Sequence, residues 1–424
     1  MSLEGISVAG EVILSKANLI SGSGSVHDIT GLIVEIDITE DIFTPVMTGH
    51  IILVESFGLI HDLPIIGEEF LEVEMYTPTL EKISKRFKIY KIAKEANDRN
   101  IKNVLQLDFI SVEALVDLNI KISKAFTGTA SQITSEITKQ YFDKKTIDIE
   151  ESSNVLKFVS PYWSPFKCIN YSASKSFKKD SFKTPDFLFF ESNKNFHFRS
   201  LSSLYKQKPF SEYFYDKHSL RQNSPDGVST RDINREFKTI SPLEVISSVD
   251  YMKSVLHGIY SFNVFSIDVT NKTIIKNNYS YTSDFKKTEH LGKSIPNSKN
   301  LLVNEENARI ETKITNSYVH DNIKRDFSGE VLSKRVPLLG QAETICLEML
   351  VPGRTDISVG KVITLNLKTI STKKTVEDIK KDNYRSGNYL ISKITHRFTQ
   401  TRHIMTCRLI KDSYESDIVY EAEI

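Results

Sequence analysis

The sequence predicts an α+β chain that is mainly β: two similar small β domains with a mixed α/β region between them. Three observations carry this. Period-two alternation of apolar and polar residues recurs towards both ends, a four-strand pattern occurs twice, and helical spacing is confined to the middle. With 424 residues the chain has room for about three domains of ~150 residues.

The repeat pairs residues 48–111 with residues 343–411. The first copy runs from Gly49-His50-Ile51-Ile52-Leu53-Val54 through Ile66-Gly67-Glu68 to Phe70-Leu71-Glu72-Val73-Glu74-Met75. The second runs from Thr344-Ile345-Cys346-Leu347-Glu348-Met349 through Val359-Gly360-Lys361 to Val362-Ile363-Thr364-Leu365-Asn366-Leu367. Each copy ends on a strand pair, 87–92 with 104–109 and 389–394 with 404–409. Shared turns and shared terminal hairpins predict one strand register used twice.

Before the first copy, Leu32, Val34, Ile36 and Ile38 alternate with Ile33, Glu35, Asp37 and Thr39, which predicts a strand burying the first set. Together these strands should close as a barrel or a sandwich ending near Ser111. From Val112 the period becomes helical. Thr129-Ala130-Ser131-Gln132 is a capping box opening a helix that buries Ile133, Ile137 and Tyr141. Ser164-Pro165 opens a second helix, with Phe166, Ile169, Ala173 and Phe177 as its stripe, and Trp163 packs on it. Residues 187–190 and 196–199 flank the polar turn 192–195 as a hairpin, and residues 224–227 mark a boundary. A strand over 231–239 follows. Ser241-Pro242-Leu243-Glu244 then reads as a capping box for a helix striped by Ile246, Val249, Met252 and Leu256. Residues 259–269 and 273–281 form another hairpin, and a last helix carries Val319, Ile323, Phe327 and Val331, weakened by Gly329 by ~1 kcal/mol.

The 55 basic and 54 acidic residues leave a net charge of +1, so no overall field draws the chain to nucleic acid or to an anionic membrane. Lys175, Lys178, Lys179 and Lys183, interleaved with Phe177 and Phe182, read as a solvated linker rather than a nucleic-acid patch. Cys168, Cys346 and Cys407 lie far apart and suit buried packing in a reducing place of synthesis. The start has no basic-then-apolar leader and no apolar run approaches ~20 residues, so a soluble protein without a signal peptide is expected.

Searches for chemistry return nothing. Gly292-Lys293-Ser294 ends like a phosphate loop, but Lys287 stands where that motif needs glycine. His396 and His403 flank a hairpin turn and read as surface residues, not ligands. No cysteine pair has metal spacing, and no Gly-x-Ser-x-Gly elbow is present. No enzyme, catalytic residue, metal or cofactor is expected.

The order of parts then becomes informative. A β domain opening with Glu35-Ile36-Asp37-Ile38-Thr39-Glu40-Asp41 and carrying Gly49 is followed by Val112-Glu113-Ala114-Leu115 and the Phe189-Phe190-Glu191-Ser192 hairpin. The second β copy, with Val351-Pro352-Gly353-Arg354 and Val359-Gly360, comes last. This order resembles the central baseplate hub proteins of T4-type contractile-tailed phages, related to type VI secretion spike hubs. The resemblance implies two tube-protein-like β-barrel domains per chain, a homotrimer forming a pseudo-sixfold ring, and a location in the virion tail baseplate after synthesis in the host cytoplasm. Implied partners are the tail tube or a tube-initiator protein, a trimeric spike and surrounding baseplate proteins, with no membrane and no specific nucleic-acid binding. It also implies that 231–239 supplies the first strand of a discontinuous second barrel. The expected domains are 1–112; 113–228 with 259–306 as the middle; 229–258 with 307–412; and a tail at 413–424. Contacts between subunits are expected mainly between 31–111 of one chain and 343–411 of the next. The alternatives are the hub of a type VI secretion or extracellular contractile injection particle and, from a different class, a cell-wall hydrolase of the tail tip.

Overall fold

Alternation in the N-terminal quarter produces seven strands: β1 (Ile13–Ile20), β2 (Val26–Asp28), β3 (Ile33–Asp41), β4 (Thr48–Glu55), β5 (Phe70–Tyr76), β6 (Lys82–Asp98) and β7 (Lys102–Ser111). The structure is a computed structural model and describes residues 8–55, 65–78, 80, 82–98, 102–215, 221–223, 229–231, 233–248, 250–295, 309–315, 326–368, 382 and 384–416. The seven strands are all antiparallel, in the order β3-β4-β7-β6-β5-β1-β2. Leu71, Val73 and Met75 of β5 are fully buried while Phe70, Glu72 and Glu74 face outward. They join Ile36, Ile51, Phe87, Ile89, Leu107 and Phe109 in one core. Each such side chain contributes about 1.5–3 kcal/mol by leaving water. One expectation fails in β3. A bulge between Ile33 and Glu35 leaves Val34 unpaired, so Ile33 is buried and Val34 is 47% exposed.

The middle region begins with α1 (Val112–Asn119), β8 (Ala125–Thr129), α2 (Ala130–Tyr141), β9 (Ile147–Ile149), β10 (Val155–Val159) and α3 (Pro165–Ala173). The capping box of α2 forms in both directions, and Ser164 caps α3 with Pro165 in its first turn. The strands β11 (Phe187–Glu191) and β12 (Phe196–Ser200) form the expected hairpin, which with α2 and α3 encloses a phenylalanine-rich core. Trp163 packs on Phe158 and Tyr171, as its position predicts. Next come α4 (Leu201–Tyr205), β13 (Glu212–Phe214), β14 (Arg221–Asn223), β15 (Ser229–Arg231), α5 (Ile233–Glu236), β16 (Leu243–Ser247) and α6 (Tyr251–Leu256).

Two sequence expectations are corrected here. Residues 231–239 are not one strand, since α5 occupies 233–236, and the expected helix from Pro242 begins instead as β16. Ladder pairing of β16 with a long neighbouring strand outweighs the local capping signal. The helix is delayed to α6, capped by Asp250, and its expected stripe residues Met252 and Leu256 are 70% and 71% exposed. Val249 and the boundary at 224–227 lie outside the described residues.

The hairpin β17 (Ser261–Asp268) and β18 (Thr273–Ser280) forms as expected, followed by α7 (Tyr281–Asp284), β19 (Arg309–Thr315) and α8 (Ser328–Ala342). β19 pairs with β17 and α8 packs across the same hairpin, whereas the sequence reading groups residues 307–342 with the second β copy. Gly329 has a contact role in α8, because a Cβ there would lie 1.7 Å from the Ser266 hydroxyl. The expected helical residues Val319 and Ile323 lie outside the described residues.

The chain ends in β20 (Ile345–Pro352), β21 (Val362–Asn366), β22 (Gly387–Phe398) and β23 (His403–Lys411). With β16 they run β16-β20-β23-β22-β21, all antiparallel, around a second core that includes Leu347, Met349, Ile363, Tyr389 and Leu409. This is the order β3-β4-β7-β6-β5 over again. One irregularity matches as well. Pairing of β6 with β7 steps from Ile89↔Phe109 to Lys91↔Asp108, and pairing of β22 with β23 steps from Ile391↔Leu409 to Lys393↔Arg408. Tyr90 and Ser392 are thus equivalent bulged residues. The amides of Ile89 and Ile391 donate to the carbonyls of Glu69 and Lys361 at 3.1 and 2.9 Å, just past the turns at Gly67 and Gly360, both of which have positive φ.

Candidate assembly interface

The two copies belong to one continuous sheet. On the outer edge of β22, residues 387–390 pair with β21 and residues 393–398 pair antiparallel with β3. Register at this junction runs from Lys393↔Asp41 to Phe398↔Ile36. Arg397 holds Asp37 through two hydrogen bonds of 3.1 and 2.9 Å, which raises its pKa, and it also lies 3.4 Å from Glu35. Glu35, Asp37 and His50 bring three potential metal-ligand atoms within 4.8 Å of one another, but the Arg397 guanidinium already occupies the cation position.

Beneath the junction lies a buried polar chain. Glu40, His396 and His403 are each at most 1% exposed. Nδ1 of His396 is 3.0 Å from Nε2 of His403, and Nε2 of His396 is 3.6 Å from Glu40 Oε1. Glu40 Oε2 accepts from the Val359 amide at 3.3 Å. Burial first, and His396 second, push the His403 pKa well below its ordinary value. The expectation that both histidines lie at the surface is therefore wrong. Their strands carry them inward at the seam between the copies, a placement that only the β3–β22 pairing determines.

The middle region is fastened to the first copy by Glu191, which is 1% exposed. It accepts from the Ser111 hydroxyl at 2.6 Å and the Met47 amide at 3.0 Å, and Lys145 pairs with it. Beside it, Ser192 Oγ lies 2.9 Å from His197 Nε2, and His197 Nδ1 lies 3.4 Å from Asp148. The order Ser-His-Asp is that of a hydrolytic triad, and a cleft of about 610 Å³ adjoins it. The chemistry is that of a turn. Ser192 is 1% exposed, its oxygen accepts from the amides of Lys194 and Asn195 at 3.3 and 3.4 Å, and Asp148 is also held by Arg199 at 2.9 Å. The Ser192 hydroxyl is thus held by the turn it sits in. Sequence reading missed this contact because β9 reaches β12 only through parallel pairing.

Other sequence features are absorbed by the fold. Both amides of Lys293 and Ser294 donate to the Tyr414 carbonyl, so they are not free to cradle phosphate. In the lysine cluster, Lys178 donates to Ser202 and Lys179 pairs with Glu151; Lys178 is partly buried rather than fully solvated. All three cysteines are buried free thiols, and burial pushes Cys407 up to about 12. No described helix is long and apolar enough to cross a membrane.

Besides the outer side of β2, which ends the sheet, two further edges carry no partner among the described residues. One is the outer side of β16, where Val245 and Ile246 are 45% and 46% exposed. The other is β6 beyond its pairing with β5, which ends at Lys88; there Tyr90 and Ile92 are 55% and 42% exposed.

No protein-family model and no curated protein matches the chain. Solved structures do. The tail protein from Neisseria meningitidis MC58 aligns over 94% of this chain and 96% of its own, at 11% identity and a TM-score of 0.55. The 43 kDa tail protein of prophage MuSo2 from Shewanella oneidensis aligns over 94% and 98%, at 10% identity and a TM-score of 0.52. The chain shares the fold of these two tail proteins. A fainter likeness, with a TM-score of 0.46 at 9% identity over 95% of this chain and 77% of the other, is to the E. coli c3393 protein, described as a component of the type VI secretion system. The mainly β, α+β class read from the sequence is the class of the fold observed.

Proposed function

We propose that the chain is a non-enzymatic structural protein of a contractile tail: the trimeric central hub of the baseplate, joining a sixfold tail tube to a trimeric spike. The observation that carries this reading is the doubled strand order, with the same bulge at Tyr90 and at Ser392. Two equivalent β units in each of three chains present six similar faces to a sixfold tube, while the whole keeps threefold symmetry for a spike. In this reading the ring is built from 1–112 and from β16 with 343–412, and the middle region, including the hairpin β17–β18 with β19 and α8 packed on it, faces the spike. The fold shared with the two tail proteins supports the reading. Electron microscopy of the purified protein tests it: end-on views with six similar lobes around a central hole support the hub, and compact single-chain particles at every concentration contradict it.

A further inference from the structure

We infer that the outer edge of β16 pairs, antiparallel, with the C-terminal half of β6 from a second copy of this chain. This deepens the ring reading and rests on it. Its argument is internal to the chain. Register equates β16 with β3, because Val245 opposes Leu347 as Ile38 opposes Gly49, and Leu347 and Gly49 oppose Leu409 and Phe109 in turn. Register likewise equates β6 with β22 through the shared bulge. Within the chain, β3 and β22 pair. Their counterparts, β16 and the second half of β6, each keep an unpaired edge among the described residues.

Burial gives the second, independent sign. Ile394, covered at the internal junction, is fully buried, and its counterpart Ile92 is 42% exposed. Ile38 is 2% exposed, and its counterpart Val245 is 45% exposed. Apolar side chains are bare at the positions that the internal junction covers, and unpaired strand edges attract further strands. Counted through the inner partners, Ile394↔Glu40 becomes Ile92 opposite Ser248 of the second copy, and Thr395↔Thr39 becomes Lys94 opposite Ser247, with Ala93 and Ile246 as bulged residues that the internal junction lacks. The Arg397–Asp37 ion pair maps onto Ala96 and Glu244, so the junction between chains lacks that clamp and depends on backbone pairing and apolar cover. The two edges differ, so the contact is head-to-tail, and three copies alternate internal and external junctions around a ring.

The test is a full-length chain carrying both Ile92→Cys and Ser248→Cys, oxidised mildly and run on a non-reducing gel, with mass photometry in parallel. The native cysteines are buried, and each single variant is the control. Disulfide-linked species ending at three chains, in the double variant alone, support the inference. A trimer by mass without cross-links overturns the strand pairing and leaves the hub reading standing. A monomer at every concentration overturns both. A ladder running past three chains supports the pairing and counts against closure at three. Independently, Val245→Lys and Ile92→Lys should each raise the concentration for half-assembly by about tenfold or more while the thermal transition of the monomer stays in place. Assembly unchanged in both overturns the inference.

Discussion

Thr39 and Thr395 share a hydroxyl–hydroxyl hydrogen bond of 3.1 Å across 356 residues of sequence. The bond marks the seam where the two β copies of one chain become a single sheet, and the first predictions concern that seam.

Arg397→Ala should destabilise the chain by about 1–2 kcal/mol, because the 6% exposed Asp37 carboxylate loses a two-point partner although Arg397 itself is half exposed. Lys82→Ala, which breaks the exposed pair with Glu74, should cost less than Arg397→Ala. Urea unfolding of both variants checks the order, and equal costs would contradict it.

Acid should loosen the seam. The folded-state pKa of His403 lies below the unfolded value of about 6.5, so the unfolded chain binds the proton more readily. Its stabilising contribution is present above about pH 6.5 and is lost as pH falls below it, with a slope of at most about 1.4 kcal/mol per pH unit. Unfolding curves between neutral and mildly acidic pH should show the loss, and His403→Gln should flatten it. An unchanged slope in the variant would place the titration elsewhere.

Gly49→Ala should destabilise by about 1–3 kcal/mol or more, since a Cβ there would meet the Asp37 carbonyl at 2.0 Å and the Phe109 ring at 2.6 Å. Gly31→Ala, with open space around it, is the control. Thermal melts of the pair decide it.

Ser192→Ala should cost about 1 kcal/mol of stability through the turn, and neither the variant nor the parent should clear peptidoglycan in a zymogram. Clearing by the parent that Ser192→Ala abolishes would make the Ser-His-Asp contact catalytic.

Much of the fold was legible because local chemistry and tertiary pairing agree. The capping box at Thr129, the Ser164-Pro165 start and the alternation in β5 each report their own structure. The repeat was legible because both copies keep the same turns and the same terminal strand pair. What stayed hidden was decided between distant segments. β16 carries a helix-start signal that pairing with β20 overrides, and Val34 follows a bulge that no alternation reveals. The inward turn of His396 and His403 depends on a junction formed by strands more than 350 residues apart.

The hub assignment depends most directly on how many chains assemble. Mass photometry of the purified protein over a range of concentrations should show a species near 145 kDa, three times the 48.3 kDa chain. A single species near 48.3 kDa throughout, even with the spike present, would contradict it.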